Sequence, residues 1–277
     1  MKLAFNGATT MKASLVTDIS AASAVGFNYL EIWAAKLYEY LKSNSAEELK
    51  KLFAEHNIRP LSINSIEHIT FRTAEAYPEI RRQCAELSEI AAKLECPYIV
   101  VVPGKMPLDC DYERITSESI EVLRDLAEIA GRHNVSLAFE FLGEADCSVR
   151  TLDHCLEIVK MAAMDNIGFV IDTFHFYTGG SRFETIASID PQKLFIFHIN
   201  GAEDLPVAEL TDAHRLYPGE GILPAFEIAG ELDSAGYKGP ASVEIFRPEY
   251  WEQDPFEVAK KAKYAAEGVL QMRVQVR

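Results

Sequence analysis

Two patterns of apolar positions alternate along the whole chain. Short runs rich in β-branched and aromatic residues occupy positions 3–6, 29–33, 60–64, 98–103, 136–142, 167–172, 194–200 and 241–246. Runs of this length and composition read as strands, whose side chains point alternately to two faces. Between them lie longer runs in which apolar residues recur at three- and four-residue spacing, the mark of helices with one buried stripe. Ser45-Ala46-Glu47-Glu48 reads as a capping box, because the Ser45 hydroxyl can accept from the Glu48 amide while the Glu48 carboxylate reaches back. Leu49, Leu52 and Phe53 then supply the stripe. Leu152, Cys155, Leu156 and Val159 do the same after Thr151, and Leu123, Leu126, Ala127 and Ala130 do so in a further run.

Strand–helix alternation repeated eight times predicts an α/β fold with a parallel sheet covered on both faces. The 277 residues suit closure into one (β/α)8 TIM barrel, which runs to roughly 250 residues. No GxGxxG fingerprint follows the first strand, which removes the main support for an open dinucleotide-binding sheet. No linker or composition break divides the chain, so a single domain over 1–277 is expected. Its longest connection, 201–221, is rich in Asp, Glu, Pro and Gly and is expected near the active-site mouth.

In such barrels the chemistry sits at the C-terminal ends of the strands. Four lone ionisable residues stand late in otherwise apolar runs: Glu140, Asp172, His198 and Glu244, on the fifth to eighth strands. Strand parity gives Glu140 the same face as Ala138 and Ser136, and Glu244 the same face as Ser242. Small residues suit a crowded barrel interior, so the four are expected to meet in the mouth. Three carboxylates gathered there would repel one another strongly. Three oxygen donors and an imidazole suit one divalent ion such as Mn²⁺, Zn²⁺, Co²⁺ or Mg²⁺. Trp33, His68, His175 and Arg247 follow strand ends and are candidate substrate contacts. Glu31, Asn64, Glu67 and Lys105 lie nearby, and Asp212, His214 and Arg215 could close over a ligand from the long connection. His56, His133 and His154 fall in helical runs and are expected to be solvated.

Composition narrows the partners. A net charge of −15 argues against nucleic acid and against an anionic membrane surface. No run of about 20 apolar residues suggests a membrane span, and the opening segment lacks the parts of a signal peptide, so a cytoplasmic protein is expected. The five cysteines form no CxxC pair and read as reduced thiols. Whether two barrels pair in a homo-oligomer is left open.

The same residues carry a family likeness. Glu140, Asp172-Thr173-Phe174-His175, His198 and Glu244 resemble the metal and substrate positions of the xylose-isomerase-like barrel superfamily of sugar isomerases and epimerases. The opening ten residues, Tyr217-Pro218-Gly219-Glu220-Gly221 and Phe246-Arg247-Pro248-Glu249-Tyr250 resemble its inosose isomerase branch, and the likeness spans essentially the whole chain. The resemblance implies a metal-dependent isomerase of keto-inositols, of the 2-keto-myo-inositol to 1-keto-D-chiro-inositol type. The ion would polarise the ketone and its neighbouring hydroxyl. One of Glu140 and Glu244 would remove the proton between them, giving an enediolate, and the other would return one. Asp172 and His198 would be ligands only, and His175 and Arg247 would fix hydroxyls. A hydride shift is the other route. No Gly-rich anion-binding turn follows the seventh or eighth strand, so a neutral keto-polyol is expected rather than a phosphorylated one. The alternatives are a ketohexose 3-epimerase, a dehydroshikimate-type dehydratase and an endonuclease-type metallohydrolase. The last would need further His ligands for several zinc ions.

Overall fold

A computed structural model describes residues 1–272. Eight parallel strands form a closed barrel: Lys2–Asn6, Tyr29–Trp33, Arg59–Ile66, Tyr98–Val101, Ser136–Glu140, Ile167–Asp172, Leu194–Ile199 and Pro240–Val243. Each pairs with its neighbours in chain order, and the eighth closes on the first with Leu3 opposite Ala241. The strands begin where the apolar runs predict, to within a residue. The fourth, fifth and eighth stop two or three residues short of the predicted ends, because the chain leaves the sheet at the mouth.

Parity sorts the strand side chains into two layers. Ala4, Leu61, Val100, Ala138, Val170 and Ile196 fill the barrel interior. Tyr98 and Phe195 stack at 4.6 Å and pack against that interior cluster. Phe5, Ile32, Ile63, Leu137, Phe139, Ile171 and Phe197 face outward and join the helix stripes in the main core. A residue two places beyond an interior position shares its face. Asn6, Glu140, Asp172 and His198 stand so relative to Ala4, Ala138, Val170 and Ile196, which puts them in the mouth.

Helix starts follow local chemistry. Ser45 caps Ala46–Glu55 in the full reciprocal box that the sequence predicts. Thr151 caps Leu152–Ala162, and Asp111 caps Tyr112–Gly131. His154 departs from expectation. It is buried between those last two helices, with its Nε2 2.9 Å from Thr116 Oγ1 and its ring stacked on Tyr112 at 4.1 Å. A helical run does not reveal which polar residue meets the next helix.

The connection 201–221 carries structure of its own. Gly201–Ala202 pairs antiparallel with Arg215–Leu216, and short 3-10 turns span Val207–Glu209 and Asp212–His214. Gly221 makes the return possible. It has φ +73°, and a Cβ there would fall 1.7 Å from the Ala202 carbonyl oxygen.

Lys36 and Asp18 form a buried charged pair beside the mouth. Lys36 Nζ lies 2.6 Å from Asp18 Oδ2 and donates to the carbonyls of Gly7 and Thr10, each at 2.8 Å. It thereby ties the helix after the second strand to the turn after the first. Removing one partner of a buried pair strands the other charge. Lys36→Met is therefore expected to lower unfolding stability by about 3 kcal/mol, and adding Asp18→Leu to restore much of it. Urea denaturation of the single and double variants checks this. A single variant as stable as the parent contradicts it.

Candidate metal centre

Glu140 ends the fifth strand, Asp172 ends the sixth, His198 stands next to last in the seventh, and Glu244 directly follows the eighth. One ligand atom from each lies within 4.8 Å of the other three, and all four residues are buried. Among the described residues they form the one such group of His, Cys, Asp and Glu.

His198 stands at the centre. Its Nδ1 lies 2.9 Å from Glu140 Oε1, 3.2 Å from Glu244 Oε2 and 3.9 Å from Asp172 Oδ2. Its Nε2 lies 3.0 Å from Glu31 Oε1, near enough for an ion pair but out of line for a hydrogen bond. A ring proton drawn to the Glu31 side leaves the Nδ1 lone pair facing three carboxylates. That arrangement fits a cation, which also relieves their repulsion.

The carboxylates differ in how they are held. Asp172 Oδ1 accepts from the amides of Phe174 and His175, capping the helix Thr173–Thr178. Its Oδ2 accepts from Asn200 Nδ2 at 3.0 Å and Arg215 Nη1 at 2.7 Å. Glu244 Oε1 accepts from Asn6 Nδ2 at 3.0 Å and Asn64 Nδ2 at 2.8 Å. Glu140 is held by His198 at 2.9 Å and by no amide among these. Glu31 accepts from Ser62 at 2.5 Å and Asn6 at 3.2 Å.

Protonation follows from these partners. Burial pushes the Glu140 carboxyl up to about 7, with Glu244 and Asp172 adding to the rise against the opposing pull of His198. Burial acts on Asp172 too, but Arg215, His175 and His198 outweigh it and hold its carboxyl at about 2. Burial likewise opposes charge on Glu31, and His198 overcomes it, so its carboxyl sits below the usual range. Burial lowers the His198 value, but Glu244, Glu31 and Glu140 outweigh it and raise the metal-free imidazole well above its usual range. Burial keeps His175 neutral by lowering its value.

A cavity of about 350 Å³ reaches Glu140 and Glu244 of the four. Trp33, His68 and His175 line it, as do Asn64, Lys105 and Arg215. Arg247 is not in its lining, being paired with Glu203 at 2.7 Å and Glu249 at 3.2 Å. Arg215 is the larger departure from the sequence reading. It comes from the long connection yet is fully buried, between the rings of Phe174 (4.8 Å) and Phe246 (5.2 Å). Glu31, which the sequence places only near the mouth, meets His198, and Asn6 and Asn200 join the site although the sequence reading does not name them. Asn6 and Asn200 end apolar runs just as the three acids and His198 do, so a strand-end test that includes amides finds them.

The closed barrel and its buried oxygen- and nitrogen-donor centre define a TIM-barrel protein built to hold a divalent ion. The model of the xylose isomerase-like TIM barrel family matches residues 19–270, and the chain belongs to that family. The chain is 37% identical to an inosose isomerase of Bacillus velezensis, covering 98% of this chain and 97% of that one. It is 38% identical to an inosose isomerase of Halalkalibacterium halodurans, covering 95% of this chain and 94% of the relative. A crystal structure of the IOLI protein with a bound zinc atom superposes with a TM-score of 0.95 at 35% identity, covering 99% of both chains.

Two outcomes follow for metal uptake. Glu31→Gln weakens the hold on the His198 ring and is expected to reduce zinc affinity by about tenfold or more, measured by competition with a chelator. Unchanged affinity contradicts that role. Because Glu140 and His198 hold protons that an ion must displace, affinity rises as pH rises through about 7, where Glu140 titrates, and each binding event releases protons. Titration calorimetry in buffers of different ionisation enthalpy reads the proton count, and a count of zero contradicts the assignment.

Proposed function

We propose that this protein is a divalent-metal-dependent isomerase of keto-inositols, with 2-keto-myo-inositol as substrate and proton transfer as its route. The observation that carries the reading is the meeting of three carboxylates and one imidazole at the mouth of a barrel about 37% identical to curated inosose isomerases over nearly its full length. Glu140, Asp172, His198 and Glu244 would hold the ion, which supplies Lewis acidity to a ketone and its neighbouring hydroxyl.

The chain's own residues divide the remaining work. Glu140 is assigned the first proton removal, because no amide donor lowers the basicity of its carboxylate, whereas two donors hold Glu244 Oε1. Glu244 would return a proton to the neighbouring carbon. Asp172, committed by four donors, serves as a ligand only. The Gly143 amide donates to His175 Nδ1, and Arg215 Nη2, which can only donate, lies 3.1 Å from His175 Nε2. His175 and the Arg215 guanidinium are assigned to substrate oxygens. Trp33 and His68 would bound the ring of the substrate, while Arg247 would act from outside the lining. The whole chain would work as one domain, with 201–221 contributing Arg215.

A dehydratase acting on a cyclic keto acid would need a cation for the substrate carboxylate. In the lining, Lys105 is paired with Asp146, and Arg215 with Asp172 and Asp212. That favours an uncharged substrate. No helix of the described residues is long and apolar enough to cross a membrane.

The test is incubation of the metal-loaded protein with 2-keto-myo-inositol in D₂O, followed by NMR. Deuterium uptake together with a second ketone signal is expected, and Glu140→Gln should slow the exchange by about 10² or more. Exchange on a free ketohexose with none on the keto-inositol would move the assignment to an epimerase.

A further inference from the structure

Of the four candidate ligands, three are placed by the sheet itself. Glu140 pairs with Val170 across the fifth and sixth strands, and Asp172 pairs with His198 across the sixth and seventh. Glu244 is different. The last rung of the eighth strand joins Val243 to Phe5 and Ile199, and Glu244 lies one residue past it. A side chain takes over there. The Thr9 hydroxyl donates to the Val243 carbonyl at 3.1 Å and accepts from the Ile245 amide at 3.1 Å. A hydroxyl carries one proton and two lone pairs, so one oxygen serves both. Those two groups belong to the peptide units directly before and after Glu244. Thr9, Val243 and Ile245 are fully buried, where a peptide group left unmet is costly.

Thr9 is itself held. It sits in the 3-10 turn Gly7–Thr10, every residue of which is buried. Lys36 donates to the carbonyls of Gly7 and Thr10, the Thr10 hydroxyl donates to Asp18 Oδ1 at 2.7 Å, and the Trp251 indole donates to the Ala8 carbonyl at 3.0 Å. Asn6 Oδ1 accepts from the Ala8 amide at 2.9 Å while its Nδ2 donates to Glu244 Oε1. The segment after the first strand thus grips Glu244 twice, at the backbone through Thr9 and at the carboxylate through Asn6. We propose that Thr9 is a positioning residue for Glu244. Its hydroxyl fixes the backbone that aims this carboxylate at the ion and at the carbon that receives a proton. The second part of this inference rests on the keto-inositol isomerase reading.

Thr9→Val keeps the side-chain shape and removes the hydroxyl, and Thr9→Ser keeps the hydroxyl. Competition with a chelator reads the zinc affinity of the full chain without any substrate. Thr9→Val is expected to bind zinc about tenfold more weakly, and Thr9→Ser close to the parent. At saturating zinc, NMR of 2-keto-myo-inositol in D₂O reads the second effect. Deuterium entering recovered substrate reports proton removal by Glu140, and the second ketone signal reports proton return by Glu244. Thr9→Val should slow the second ketone about tenfold while exchange into substrate continues at close to the parent rate. A general loss of packing would slow both together. If Thr9→Val does not fold, Thr9→Cys, whose thiol is a weak donor and acceptor, takes its place with the same expectations. Parent-like zinc affinity in the folded variant, exchange slowed as much as the second ketone, or no rescue in Thr9→Ser overturns the role. A parent protein that leaves the keto-inositol unexchanged removes the isomerase reading, and the zinc affinities of the variants then decide the role of Thr9 by themselves.

Discussion

Buried like charge is the constraint around which the mouth of this barrel is built. Glu140, Asp172 and Glu244 converge within a few ångströms in a region closed to water, and Glu31 lies just behind them. At such separations, with little solvent, repulsion between carboxylates is worth several kcal/mol unless something positive intervenes. The local structure answers this in layers. His198 sits among the acids, Arg215 reaches Asp172, and a helix N-terminus donates two amides to it. Asn6, Asn64 and Asn200 aim their side-chain N–H groups at the remaining oxygens. A divalent ion completes the balance.

The same constraint explains why the long connection is not a loose cover. A guanidinium drawn to Asp172 anchors it at Arg215, which two aromatic rings clamp in place. The short antiparallel pair at Gly201–Ala202 and Arg215–Leu216 then fixes where the segment leaves and returns. The turns between those two points form one wall of a second cavity of about 900 Å³, and Asp212 also lines the cavity at the mouth.

Inward and outward side chains alternate along each strand, so the (β/α)8 fold and the meeting of Glu140, Asp172, His198 and Glu244 were legible from spacing. The prediction weakened where a side chain's partner lies far along the chain. His154 looked like one more polar residue on a helix, yet it meets Thr116, 38 positions away. Arg247 follows Glu244 closely enough to invite a role at the substrate, but Glu203 draws its side chain elsewhere. Arg215 sat in a stretch that read as loop, and only the packed barrel brings it to Asp172, 43 positions earlier.

By itself the sequence determined the strand and helix order, the barrel, and the four residues that could hold an ion. Each of these depends on periods of two or about 3.6 residues, which are written locally in the chain. The tertiary structure decided what stands behind those four: Glu31 at the far nitrogen of His198, two asparagines on Glu244, and Arg215 on Asp172. Strand parity says which way a side chain points. What it meets depends on the register and curvature of the closed barrel, which bring together residues such as Asn6 and Glu244, separated by 238 positions.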